Sequence, residues 1–162
     1  MKRILAFVDF SEVTADLITL AGNLARGLGV RLVLLHVAMP DADFVDGKAR
    51  DDCSRQGIAR DLRRRHREME ILRLGLTKLG VDAAALMVKG DSPRGNPSGK
   101  ILQEIDRLSP DLIVVGAHNH GRLFKLLVGG TTEAIVRKAC CPVLLVPRAA
   151  AAPRAPAANA ST

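Results

Sequence analysis

Asp9 stands one residue past a short apolar run, Ile4 to Val8, and far along the chain Gly116 closes another such run, Leu112 to Val115. A carboxylate at the end of a buried strand can accept hydrogen bonds from a ribose or a base edge. It can also hold a divalent cation such as Mg that bridges phosphates. Gly129-Gly130-Thr131-Thr132 precede an apolar-periodic segment, Ile135, Val136 and Ala139. A helix starting near Thr132 points unpaired N–H groups and the positive end of its dipole at the loop before it, where a phosphate can sit. Glycine lets the main chain come close to such a ligand, and the hydroxyls of Thr131 and Thr132 stand beside it. Arg122 and Lys125 can neutralise phosphate charge, although single basic residues on a loop are mostly just solvated.

Other chemistries find less support. Asp9 has a second reading as a plain helix cap, with Glu12 three positions on as reciprocal partner, and both readings stay open. His118-Asn119-His120 supplies at most two metal ligands, with no third in view. Ser11 and Ser98 have no partner His, and no carboxylate pair stands out, so no nucleophile with a general base can be assembled. The expectation is a protein that is not an enzyme, or at most a slow ATP hydrolase without an evident water-positioning residue. Cys140-Cys141 reads as packing rather than redox chemistry. Arg60, Arg63, Arg64, Arg65 and Arg67 read as a solvated helix face rather than a nucleic-acid surface.

The elements that must position these residues follow from periodicity. Five apolar runs, Ile4 to Val8, Arg31 to Val37, Ala83 to Val88, Leu112 to Val115 and Val143 to Val146, alternate with helical stretches. That alternation predicts parallel strands joined by crossover helices. Leu17, Leu20, Ala21, Leu24 and Leu28 share one face of a first helix, with Ser11 or Asp9 as cap and Gly29 as stop. Ile58, Leu62, Met69, Leu72, Leu76 and Leu79 mark a second, closed by Gly80. Ile101, Leu102, Ile105 and Leu108 mark a third, capped by Ser98. His36, inside the second strand, reads as a hydrogen-bonded core residue.

Right-handed crossovers fit a doubly wound α/β sheet of order 3-2-1-4-5 with helices on both faces. Strands one and four are then neighbours whose helices leave on opposite sides, and ligands bind at that switch point. Asp9 and Gly116 lie just past those two strands, so the separate signals converge on one crevice. The stretches from Pro40 to Gly57 and from Asp91 to Pro97 read as loops. Residues 148–162, rich in Ala and Pro, read as a disordered tail beyond a single domain of residues 1–147.

Of the 162 residues, 48% are hydrophobic and 25% charged, which fits a soluble globular domain. Four Phe with no Trp or Tyr leave an aliphatic core and no base-stacking platform, so nucleic acid is not expected despite a net charge of +7. The early apolar run stops at Asp9, too short for a secretory signal, and no stretch approaches membrane-spanning length. Three cysteines give no even disulfide framework, and the cytoplasm is the expected compartment.

The runs Ile4-Leu5-Ala6-Phe7-Val8-Asp9-Phe10-Ser11-Glu12, Val33-Leu34-Leu35-His36-Val37, Asp111-Leu112-Ile113-Val114-Val115-Gly116 and Cys141-Pro142-Val143-Leu144-Leu145-Val146 resemble the universal stress protein family, from Lys2 to Pro147. The resemblance implies the same five-stranded sheet, dimers paired through the last strand, Val143 to Val146, and in one subgroup binding of ATP or AMP. That subgroup carries Gly, two residues, Gly, nine residues, then Gly and Ser or Thr. Laid here, the motif starts at Gly116, but its second glycine falls on Asn119, its third on Gly129 and its hydroxyl position on Gly130. Asn tolerates a left-handed backbone, and Thr131 stands one place beyond the missing hydroxyl. By the same resemblance Phe7, Val8 and Asp9 border base and ribose, and the main chain of Val37 recognises adenine. Val115, Gly121 and Arg122 complete the expected nucleotide-binding set. The implied role is a sensor or adaptor for an unknown protein partner; the alternative is a dimeric interaction scaffold of the subgroup that binds no nucleotide.

Overall fold

A computed structural model of the chain describes residues 1–39, 52–90, 97–117 and 131–147, without the side chains of 52–55 and 58. Five strands, β1 (Arg3–Phe7), β2 (Arg31–Ala38), β3 (Ala83–Lys89), β4 (Leu112–Ala117) and β5 (Val143–Pro147), form one parallel sheet of order β3-β2-β1-β4-β5. Four helices connect them: α1 (Thr14–Leu28), α2 (Asp52–Lys78), α3 (Ser98–Leu108) and α4 (Thr131–Lys138). The expected α/β architecture and strand order are those observed.

A parallel sheet covered on both sides needs apolar residues at every strand position, which is why the runs read as continuous rather than alternating. Successive side chains nonetheless go to opposite faces. Ile4, Ala6, Leu32, Leu34 and Val114 join a core under α1 and α2. Leu5, Val33, Leu35, Ile113 and Val115 join the other, under α3 and α4 with Ile101, Ile105 and Ile135.

Helix α1 keeps Leu17, Ala21 and Leu24 of its expected face against the core but is turned somewhat toward Ile18, Gly22 and Ala25. Leu17, Ile18, Ala21, Gly22 and Ala25 are buried, whereas Leu20 and Leu28 are exposed. Small residues let the helix lie close to its neighbours: a Cβ on Gly22 would come within 2.6 Å of Leu76 Cδ2 on α2. Neither Ser11 nor Asp9 caps α1; Val13 occupies the N-cap without a side-chain hydrogen bond. Gly29 does stop it, in the left-handed conformation at φ 62°.

Helix α2 begins at Asp52, so residues 52–57 are helical where a loop was expected. It ends at Lys78 with Gly80 left-handed, which carries Leu79 off the apolar stripe and leaves it exposed. Ser98 is the first residue of α3 rather than its cap. Pro97 takes the cap position, its φ of −62° already suited to a helix start. Residues 40–51, most of the Asp91 to Pro97 loop and the tail from 148 lie outside the described residues.

Candidate functional site

The site begins where β1 leaves the sheet between β2 and β4. Alternate residues of a strand turn their N–H and C=O toward the same neighbour. Leu35 O accepts from Val8 N, and Arg31 N donates to Lys2 O, so the odd residues of β2 face β1. Leu32 N donates to Asp82 O and Ala38 O accepts from Gly90 N, so the even ones face β3. Val37 therefore turns its N–H and C=O toward the gap that β1 has vacated. The Val8 carbonyl that would continue the ladder to Val37 is engaged by His36 Nδ1 at 2.7 Å. A carbonyl only accepts, so Nδ1 carries the proton and Nε2 is left as an acceptor in the neutral ring.

His36 is the hydrogen-bonded, buried residue that its strand position implied. Burial is the main force lowering its pKa below 6.5, assisted by the nearby Arg65 charge, while the Val8 hydrogen bond acts in the opposite direction. Phe10 sets its ring edge-on to the imidazole, with centroids 4.8 Å apart. The guanidinium of Arg65, from α2, lies over the Phe10 ring, 4.9 Å from its centroid. Phe10 itself has φ 59°, a backbone conformation that costs a bulky L-residue about 1–2 kcal/mol.

Asp9 ties the turn after β1. Its Oδ1 accepts from the Ser11 N–H at 3.0 Å and from the Thr14 hydroxyl at 3.3 Å. The carboxylate thus bridges the strand exit to the first turn of α1 without being the N-cap. Ser11 Oγ is buried with no hydrogen-bond partner among the described residues. Gly116 lies inside β4, paired with Val146, rather than just past the strand, and it packs against the N-cap of α1: a Cβ there would meet Val13 Cγ1 at 3.2 Å.

A cleft of about 580 Å³ opens at this point, within the range of small-molecule sites. Phe7, Val8, Asp9, Val37, Val115, Gly116, Thr131 and Thr132 all line it, so every expected site residue that is described meets in one place. Asn119, Gly121, Arg122, Gly129 and Gly130, with His118, His120 and Lys125, lie outside the described residues. Helix α4 starts at Thr131, one residue before the expected start, and turns its N-terminus into the cleft wall. Among the described residues no group of three His, Cys, Asp or Glu side chains is placed to hold a metal.

Sequence reasoning missed the α2 wall. Asp61 and Arg65, one helical turn apart, line the cleft, so this arginine segment is more than a solvated face. Asp61 is also held by Arg64 at 2.6 Å, a hydrogen bond that keeps its carboxyl below the usual range. Arg65 reaches Asp61 and Glu68 only at 4.0 and 3.7 Å. The signal present in sequence was the i, i+4 pairing of Asp61 with Arg65, which five neighbouring arginines disguise. Cys141 packs beside the α3–α4 core with its thiol pKa raised by burial, while Cys140 is exposed, so packing accounts for only one of the pair.

A family model described as "Universal stress protein family" matches residues 1–147. The chain belongs to the universal stress protein family. A universal stress protein A-like protein of Arabidopsis thaliana is 32% identical over 123 residues, covering 73% of this chain and 67% of the relative. The solved universal stress protein UspA of Lactobacillus plantarum shares the fold at a TM-score of 0.69 and 22% identity, over 90% of this chain and 97% of that one. A universal stress protein from Archaeoglobus fulgidus, solved in complex with dAMP, does so at 0.57 and 16%, over 90% and 97%. In this universal stress protein no helix among the described residues is long and apolar enough to cross a membrane.

Proposed function

We infer that this universal stress protein binds an adenine nucleotide, ATP or AMP, in the switch-point cleft and acts as a homodimeric sensor or adaptor. The observation that carries this reading is the convergence of Val37, Asp9 and the α4 N-terminus on one cleft. Each meets a different part of the ligand. The open N–H and C=O of Val37 match the adjacent acceptor and donor of an adenine edge, and the Asp9 carboxylate suits ribose hydroxyls or a phosphate-bound Mg. Thr131, Thr132 and the N–H groups of α4 suit phosphate. A relative of the same fold crystallised with dAMP adds support.

Dimerisation uses β5. Among the described residues this strand pairs only with β4, and Leu145 keeps 44% of its surface exposed along the edge, a combination that calls for cover. Heating the purified protein, chromatographing any released nucleotide and titrating with ATP and AMP in a calorimeter tests the binding. A released adenine nucleotide or saturable heat is the expected result. No release and no heat at millimolar ligand overturns it and leaves the scaffold reading, which Asn119 and Gly130 at two motif positions favour.

A further inference from the structure

Resting on the nucleotide reading above, we propose that Arg65 of α2 contacts the base, so that this helix forms part of the ligand-binding wall. The direction of the ligand follows from the fold. Thr131 and Thr132 mark the phosphate end, over β4, and the open edge of Val37 marks the other end, at β2. Helix α2 packs over β2 and β3. A nucleotide with its phosphates toward α4 therefore extends its base toward β2 and under α2, where Arg65 and Asp61 line the cleft.

The state of Arg65 suits this task. Its neighbour Arg64 makes the tight 2.6 Å contact to Asp61. Arg65 stands 4.0 Å from Asp61 and 3.7 Å from Glu68, beyond the range of a hydrogen bond. What fixes it is the Phe10 ring, 4.9 Å from its central carbon. A guanidinium carries five N–H donors in a rigid plane, and here the group sits over the Phe10 ring while those carboxylates lie too far to accept hydrogen bonds from it. Purine rings offer acceptor nitrogens along their edges, and an arginine already held over a ring loses little conformational freedom in meeting one.

The test is calorimetry of wild type, Arg65→Gln and Arg65→Lys with AMP and with its 1-, 3- and 7-deaza analogues, each lacking one ring nitrogen. Arg65→Gln is expected to weaken AMP roughly tenfold or more, the scale of a hydrogen bond from a charged donor. The analogue that lacks the contacted nitrogen binds wild type and Arg65→Gln alike, and Arg65→Lys recovers part of the AMP affinity. Equal AMP affinity in wild type and Arg65→Gln overturns the proposal and leaves the nucleotide reading intact. An equal loss for AMP and all three analogues also overturns it, because the arginine then acts on the phosphates or through the fold. Failure of wild type to bind AMP at all removes the nucleotide reading and this proposal together.

Discussion

Replacing Gly116 with alanine places a methyl group 3.2 Å from Val13 Cγ1, 3.4 Å from Val13 Cβ and 3.8 Å from Leu17 Cδ1. Carbon atoms pack best at about 3.5–4.0 Å, so the 3.2 Å contact is too short and the 3.4 Å one leaves no slack. Val13 is 1% exposed and β-branched, with little rotamer freedom to turn aside. Relief must come from moving α1, and overpacking of this kind costs about 1–3 kcal/mol. Against that, alanine recovers about 0.5–1 kcal/mol of backbone entropy in a strand, and Gly116 has no left-handed backbone to add strain. The net cost is about 1 kcal/mol, a fall in melting temperature of roughly 2–4 °C for a domain this size. Urea unfolding of G116A, V13A and the double variant measures it. G116A should cost distinctly less in the V13A background, since the methyl then has room. Gly29 is the control: it is left-handed with nothing within 4 Å, so G29A should cost about 1–2 kcal/mol whatever stands at position 13. An equal G116A penalty in both backgrounds, or no penalty, refutes the steric account of this glycine.

His36 is neutral in the folded chain because burial lowers its pKa from 6.5. The unfolded chain then binds more protons as pH falls, so the contribution of this group to stability is complete above about pH 6.5 and is lost below it. Urea unfolding between pH 7.5 and 5.5 should show declining stability in wild type and a flatter dependence in H36N; identical slopes exclude His36 as the source. At the sheet edge, L145E removes an apolar contact of about 1 kcal/mol from each copy of the proposed dimer and adds two facing charges. A dimer weakened at least roughly 30-fold is the expected result by light scattering over a dilution series. A dimer mass unchanged by the substitution rules out β5 as the interface.

Strands were legible because burial on both faces leaves almost no polar interruption, as in Leu32 to Leu35 and Ile113 to Val115. The first helix was read correctly at Leu17, Ala21 and Leu24 but not at Leu20 and Leu28, because Gly22 and Ala25 carry little apolar area, yet their smallness is what brings α1 against the sheet and α2. The meeting of Asp9 and Gly116 followed from strand order, while Val37 was expected there only from the family resemblance. What strand order does not contain is register: only the pairing of Phe7 with Leu35 reveals that Val37 runs past the end of β1 and that His36 takes the Val8 carbonyl. Arg65 was hidden for a different reason. Its chemistry is the same as that of Arg60, Arg63, Arg64 and Arg67, and beyond the i, i+4 spacing from Asp61 it is the contact with Phe10 and the place in the cleft wall that set it apart.

Phe10 combines a left-handed backbone with the ring on which Arg65 rests. Glycine or asparagine at this position would relax the main chain, but it would also strip away a ring that packs against the α1–α2 core, so a variant library sorted for heat resistance weighs backbone relief against lost packing. Each such variant also discards the platform beneath the guanidinium. Sorting the same library for ligand retention should hold position 10 to a ring, whatever balance heat resistance strikes there.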